Sequence, residues 1–222
     1  SVQNGSDLRF AGSIVQLGSL GTGGIGDVQG GDGTGGDVSL LVDSSTVMGG
    51  TLAAASNASG GNNTGNTAAG DGLAGTVTLR FQGGADAVIS TVAFETGAST
   101  FNTGSATGGT AQLVVQGTGS ALTALGIFTE NETSSPATAN ATAGRFLIDV
   151  LTGGLLTTNV LTASSVDLNN DTPETHTSRL QALGGNIRIT DLATISSIGS
   201  ITIDTDATGQ VLGGSDPANI TA

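Results

Sequence analysis

The sequence predicts an all-β chain, wound as a right-handed parallel β-helix of about six coils with long polar loops. Three observations predict it. A short segment of alternating apolar residues recurs behind a glycine. A second apolar cluster follows each copy at a steady distance, and small polar residues of loop type fill the remainder.

The clearest copy of the segment is Gly75-Thr76-Val77-Thr78-Leu79-Arg80-Phe81-Gln82-Gly83. Val77, Leu79 and Phe81 alternate with Thr78, Arg80 and Gln82, the period of two of a half-buried strand. Further copies begin at Gly36, Gly109, Gly144 and Gly185, and a weaker one, Asp7 to Gly12, opens the chain. The leading glycines lie between 34 and 41 residues apart. The chain is thus one β-helix segment of repeats of roughly 35 residues, bounded near 4–35, 36–74, 75–108, 109–143, 144–184 and 185–222.

Aligned on the glycine, Val38, Val77, Ala111, Phe146 and Ile187 share one position. Leu40, Leu79, Leu113, Ile148 and Ile189 share the next, and Val42, Phe81, Val115 and Val150 the third. Stacked in register, each set becomes a ladder of apolar side chains about 4.8 Å apart. Asp191 falls where the last copy needs an apolar residue, so the third ladder is expected to break there. The second cluster contains Leu52, Val92, Leu125, Val160 and Ile201, each 16 or 17 residues after its glycine. Its local form is an apolar pair three residues apart, as in Ile89 and Val92 or Leu122 and Leu125, and its β-branched content suits a strand. A third strand per coil, for example around Ala98 to Phe101, is left open by the pattern.

Each unit then enters loop sequence such as Ser56 to Thr64, Asn131 to Pro136 or Asn169 to Glu174, where insertions cost little. No stretch has a 3.6-residue apolar period, so helix is expected to be almost absent. A two-sheet sandwich also has many short strands, but it does not require a fixed distance from glycine to second strand. A disordered low-complexity chain lacks alternating apolar runs, and here hydrophobic residues reach 36%.

Composition narrows the function classes. Five arginines, no lysine and 18 acidic residues give a formal net charge of −13. Nucleic acid is therefore not an expected partner, since no basic patch meets phosphate. No apolar run approaches the roughly 20 residues of a membrane span, so membrane insertion is not expected either. Absence of cysteine excludes disulfides and thiolate zinc sites. The chain shows no signal peptide and begins with Ser1, so a processed product or a piece of something longer is expected.

The units Gly35-Gly36-Asp37-Val38-Ser39-Leu40, Ala74-Gly75-Thr76-Val77-Thr78-Leu79 and Gly184-Gly185-Asn186-Ile187-Arg188-Ile189 resemble the shaft repeats of filamentous-haemagglutinin-like exoproteins, the β-helical passengers of two-partner secretion in Gram-negative bacteria. The absence of cysteine and the Gly, Ala, Ser, Thr and Asn bias are similar too, and the likeness runs along nearly the whole chain. It implies an extracellular, cell-surface location and a role in adhesion or biofilm matrix. The secretion domain that opens such proteins is not recognisable. Expected partners are adjacent coils of the same or a neighbouring chain, and a host or matrix surface. The alternative role is a self-assembling extracellular filament or surface-layer subunit, with coils stacked head to tail. Neither the opening Ser1 to Gly5 nor the tail Ser215 to Ala222 reads as a cap, so both ends are expected to meet another coil.

Catalysis is not expected. His176 is the single histidine, and no Gly-x-Ser-x-Gly elbow links a strand to a helix. Sugar-processing β-helices need carboxylates beside exposed aromatics, whereas only six Phe exist; Phe81 and Phe146 take core positions and Phe94 and Phe128 lie in second strands. The glycine-rich Gly21 to Gly26 lacks the lysine and strand–helix context of a phosphate loop and reads as a turn. Sequons such as Asn57 and Asn131 are at the frequency so Asn/Ser/Thr-rich a chain gives by chance. No organic cofactor is expected. The candidate metal site is Asp167, Asn169 and Asp171, whose alternate oxygen ligands suit Ca²⁺. Thr172 and Ser178 stand where an EF-type loop needs Gly and Glu; Asp204 and Asp206 form a thinner second candidate. An ion-binding loop raises the melting temperature when millimolar Ca²⁺ is added, by linkage. An unchanged melting temperature identifies a solvated acidic loop instead.

Overall fold

A computed structural model describes residues 1–63, 68–101, 103–136, 140–167, 177–197, 200–205, 210–212 and 219–221. The strands β1 (Val2–Gln3) and β2 (Asp7–Thr22) open the stack. The next two turns run β3 (Gly33–Thr34), β4 (Val38–Asp43), β5 (Thr46–Ser59) and β6 (Gly72–Leu73), β7 (Thr76–Gln82), β8 (Asp86–Ser99). Then come β9 (Ala106–Thr107), β10 (Thr110–Gln116), β11 (Ala121–Ser134) and β12 (Ala141–Thr142), β13 (Arg145–Leu151), β14 (Leu155–Asp167). The strands β15 (Thr177–Leu183), β16 (Asn186–Ser197), β17 (Ser200–Thr205), β18 (Gln210–Leu212) and β19 (Asn219–Thr221) complete the chain. The described residues contain no helix.

These strands form three parallel sheets. The first has the order β1-β4-β7-β10-β13-β15-β17. The second runs from β2 through β5, β8, β11 and β14 to β16, which also carries β18 and β19. The third is the short set β3-β6-β9-β12. Each strand takes its neighbours from the turn before and the turn after, so the chain is a β-solenoid of about five turns.

The first-sheet ladders follow the glycine alignment through four turns. Val38 pairs Val77, then Ala111, then Phe146; Leu40, Leu79, Leu113 and Ile148 align beside them, as do Val42, Phe81, Val115 and Val150. Their side chains are buried in one continuous core with inward residues of the second sheet. Each fully buried Val, Leu, Ile or Phe contributes roughly 1.5–3 kcal/mol of transfer free energy.

Three alignments differ from the sequence expectation. Ile187 and Ile189 lie in the second sheet, paired with Leu156 and Thr158. The fifth first-sheet member is β15, where Leu180 pairs Ile148 and Ala182 pairs Val150. Its strand has no leading glycine, while Gly184, at φ +64°, belongs to the turn between the two sheets. Asp191 therefore breaks no first-sheet ladder; it sits exposed in β16. The opening copy Asp7 to Gly12 is likewise second-sheet: Leu8 pairs Val47, and the first-sheet strand of that turn is β1. Ile201, in turn, belongs to the first sheet, opposite Ser178.

A further difference is a change of phase. Along each long second-sheet strand the inward residues alternate, then skip one position at Gly50, Ser90, Leu125 and Asn159, which have no register partner. Inward pairs are thus three apart: Ile89 with Val92, Ala124 with Ile127. The true ladder is Leu52, Val92, Ile127 and Leu161. Leu125 points outward, 62% exposed, and Val160 is half-buried beside Gly126. The third face is formed by the short strands from β3 to β12, whereas Ala98 and Ser99 end β8.

Two substitutions test the phase change. Ile127→Ala removes a buried ladder member and is expected to cost about 2–5 kcal/mol. Leu125→Ala is expected to stay within about 0.5 kcal/mol. Urea midpoints measure both, and equal losses would return Leu125 to the core.

Candidate functional site

Where the chain passes from the third face into the first sheet, the leading glycines meet an internal column of polar side chains. That column, from successive second-sheet strands, is Ser19, Ser56, Thr96, Asn131 and Ser165; the last four are fully buried. Gly36 N–H donates to Ser19 Oγ at 2.7 Å. Ser56 Oγ donates to the Gly36 carbonyl at 2.8 Å and accepts from Gly75 N–H at 3.0 Å. Thr96 Oγ1 donates to Asn131 Oδ1 at 2.6 Å, and Asn131 Nδ2 donates to the Ser164 carbonyl at 3.0 Å. Ser165 Oγ donates to the Gly144 carbonyl. Each of these bonds inside the core contributes about 0.5–1.5 kcal/mol net, and a larger penalty follows if one partner is lost.

The bonds require the backbones to approach closely, which explains the recurring glycine. A Cβ on Gly75 would lie 2.7 Å from the Gly36 carbonyl oxygen, and one on Gly144 would lie 2.6 Å from that of Gly109. On Gly109 it would overlap the Gly75 carbonyl. Asn131, which begins a sequon, is an internal residue of this corner.

The outer face of the first sheet is bonded across turns as well. Arg179 grips Asp149 with Nε and Nη2, each at 2.8 Å from a carboxylate oxygen. Gln112 Nε2 donates to the same carboxylate from the other side at 3.2 Å, and Asp149 is only 3% exposed. This two-pronged geometry is the stronger kind of ion pair, although the part-exposed Arg179 moderates its worth. Arg80 donates to Gln116 at 3.2 Å, Gln82 to Asp43 at 3.0 Å and Arg145 to Thr110 at 3.2 Å. Three of the five arginines therefore tie one turn to its neighbour.

The outer face of the second sheet carries a shallow groove of about 300 Å³, floored by Ala53, Ala55 and Ala93 and flanked by Phe128, Glu95 and Glu130. Glu95 and Glu130 are register partners, and Asn57 Nδ2 donates to Glu95 Oε1 at 2.7 Å. Phe128 is 39% exposed. The sequence reading missed this grouping because the phase change decides which side of the strand Phe128 and the glutamates occupy.

Of the candidate calcium ligands, Asp167 ends β14, in register with Thr133. Asn169 and Asp171 lie outside the described residues, as do His176 and Asp206. Asp204 is in β17, opposite Gln181. Among the described residues, no group of three or more acidic or histidine side chains is placed to hold a metal ion. In the glycine-rich opening, Gly21 and Thr22 end β2. Beyond them, Gly31 N–H donates to the Gly24 carbonyl and Gly61 N–H to the Gly31 carbonyl, both at 2.8 Å. Backbone packs there against backbone.

The inner corner predicts a sharp contrast between glycines. Gly109→Ala is expected to cost about 3 kcal/mol, the upper end for overpacking. Gly24→Ala, where a Cβ meets nothing within 4 Å, is expected to stay within about 0.5 kcal/mol. Denaturant midpoints compare the two, and equal values would refute the close-approach explanation.

No protein-family model, no curated protein and no solved structure matches the chain.

Proposed function

We propose that this chain is a structural, non-catalytic element, a shaft segment of a secreted bacterial cell-surface adhesin or matrix protein. The observation that carries the reading is the continuity from turn to turn. Three parallel sheets stay in register along the stack, and polar side chains bond across turns both inside the corner and on the outer face. Such a stack advances about 4.8 Å per turn and holds its two ends apart at a fixed distance, which is what a spacer must do. The buried apolar residues are committed to packing, and Ser56 and Ser165 to the backbone of the corner glycines. The likeness of the repeats to exoprotein shafts supports export and surface placement, and the lysine-free, acidic composition suits a chain that stays clear of nucleic acid.

Antibodies raised against residues 1–222 test the placement on cells of the source organism. Labelling of intact cells is the expected outcome. Labelling only after permeabilisation would overturn the surface role.

A further inference from the structure

Three strands in the middle of the second sheet, β5, β8 and β11, are each paired on both sides, so their outer face does not depend on the ends of the chain. Beyond the phase change, Ala53, Ala93 and Phe128 form one column on that face, and Ala55, Glu95 and Glu130 form the next. Alanine is depleted from strands because it offers a pleated surface little to pack. Here three alanines together leave the apolar floor of the groove, walled by Phe128.

A second depression, of about 310 Å³, continues the groove along the same strands to Ser99 and Ser134. The two share Glu95 and Glu130, and Glu132 lines the second. From Phe128 to Ser134 they run about 20 Å, the length of an extended segment of roughly six residues.

The charge on this face is one-sided. Glu95 and Glu130 stand directly opposite each other, an arrangement in which like charges repel. Asn57 donates to Glu95. The ion pairs among the described residues join Arg9 to Asp7 and Arg179 to Asp149, so neither glutamate is matched by a cation of this chain there. A second copy, with no lysine and a net charge of −13, complements the face poorly.

We propose that the groove docks an extended basic segment of another protein, laid along β8 and β11, with lysine or arginine at alternate positions. One cation meets Glu95 and Glu130. The next, two residues on, meets Glu132, because alternate residues of an extended chain repeat at the same spacing as Glu130 and Glu132, roughly 6.7 Å. The methylene stems of these side chains cover the alanine floor and Phe128. The inference adds a partner to the structural reading, and purified protein tests it without regard to where the protein sits on cells.

The probe is a capped, dye-labelled peptide of alternating threonine and lysine, titrated with residues 1–222 and read by fluorescence anisotropy. Saturable binding is expected. E130Q should weaken it at least about tenfold, the worth of one charge-assisted hydrogen bond. A55L fills the floor without changing charge and should weaken it by a similar factor. D86N removes the same charge from the exposed start of β8, some 30 Å from Glu95. It should bind like the unaltered chain to within about twofold, since screening acts over about 8 Å at 0.15 M salt. A peptide of the same composition with its lysines side by side should bind at least about fivefold more weakly. If a urea midpoint shows A55L to be destabilised, F128T tests the apolar wall in its place. Absence of saturable binding overturns the proposal. Equal losses in D86N and E130Q also overturn it, since they mark a general attraction of cations to an acidic chain, and so does equal affinity for the two peptides. Any of these results beside surface labelling of intact cells leaves the shaft reading standing and removes only the docking.

Discussion

The hydrogen bonds between strands in this solenoid run along its axis, so each strand is satisfied only by the turn before it and the turn after it. Everything else follows from that constraint. Parallel pairing in register places like positions on top of one another, and a residue can be inward only if its counterparts above and below are inward too. Length variation is confined to segments that do not pair. The first-sheet strands therefore keep six or seven residues through four turns, while the chain between β5 and β6 is longer than that between β8 and β9.

The inner corner shows how a polar interior is compatible with such a stack. Apolar ladders fill the space between the first and second sheets, but where the third face turns into the first sheet there is no room for them. The backbone there is glycine, its N–H and C=O groups face inward, and the hydroxyls of Ser19, Ser56 and Ser165 from the second sheet meet them. Replacing one partner by an apolar residue would leave the other unsatisfied, which explains why small hydroxyl residues and Asn131 hold this column while Leu, Val and Ile hold the others. On the outer face, Arg179 and Gln112 converge on Asp149 from the turns on either side. The same logic of one residue bonded to two turns thus operates on both sides of the sheet.

Much of this was legible in the sequence, for identifiable reasons. Alternation of Val77, Leu79 and Phe81 behind Gly75 needs only a period of two, and its recurrence fixed the first-sheet ladders from Val38 to Val150. Two features concealed the rest. Glycine serves two purposes that look alike in one dimension: Gly75 and Gly109 allow close approach, whereas Gly83, Gly117 and Gly184 take positive φ in the turns between sheets. Gly185 aligns by sequence with the leading glycines of the first-sheet strands, but it follows the turn glycine Gly184 and leads into β16 of the second sheet. The phase change at Ser90 and Leu125 shows in the sequence as apolar pairs three apart, but in β11 both Leu122 with Leu125 and Ala124 with Ile127 fit that spacing, and the spacing alone assigns Phe128 no side. The groove beside Glu95 and Glu130 depends on that choice and could not be read until it was made. Asn169 and Asp171 lie beyond β14, in loop sequence that carries no periodic signal.

Bonds aligned with the axis also determine how the stack yields under mechanical load. Tension applied between its two ends pulls on the bonds of a terminal turn one after another, as in opening a zipper, instead of shearing a whole sheet at once. Rupture then proceeds inward, turn by turn. Each released turn of about 35 residues supplies roughly 120 Å of slack chain before the next is strained. A polymer of such turns dissipates a pull as a series of small extensions, and the turns still folded keep their register to receive the released ones again.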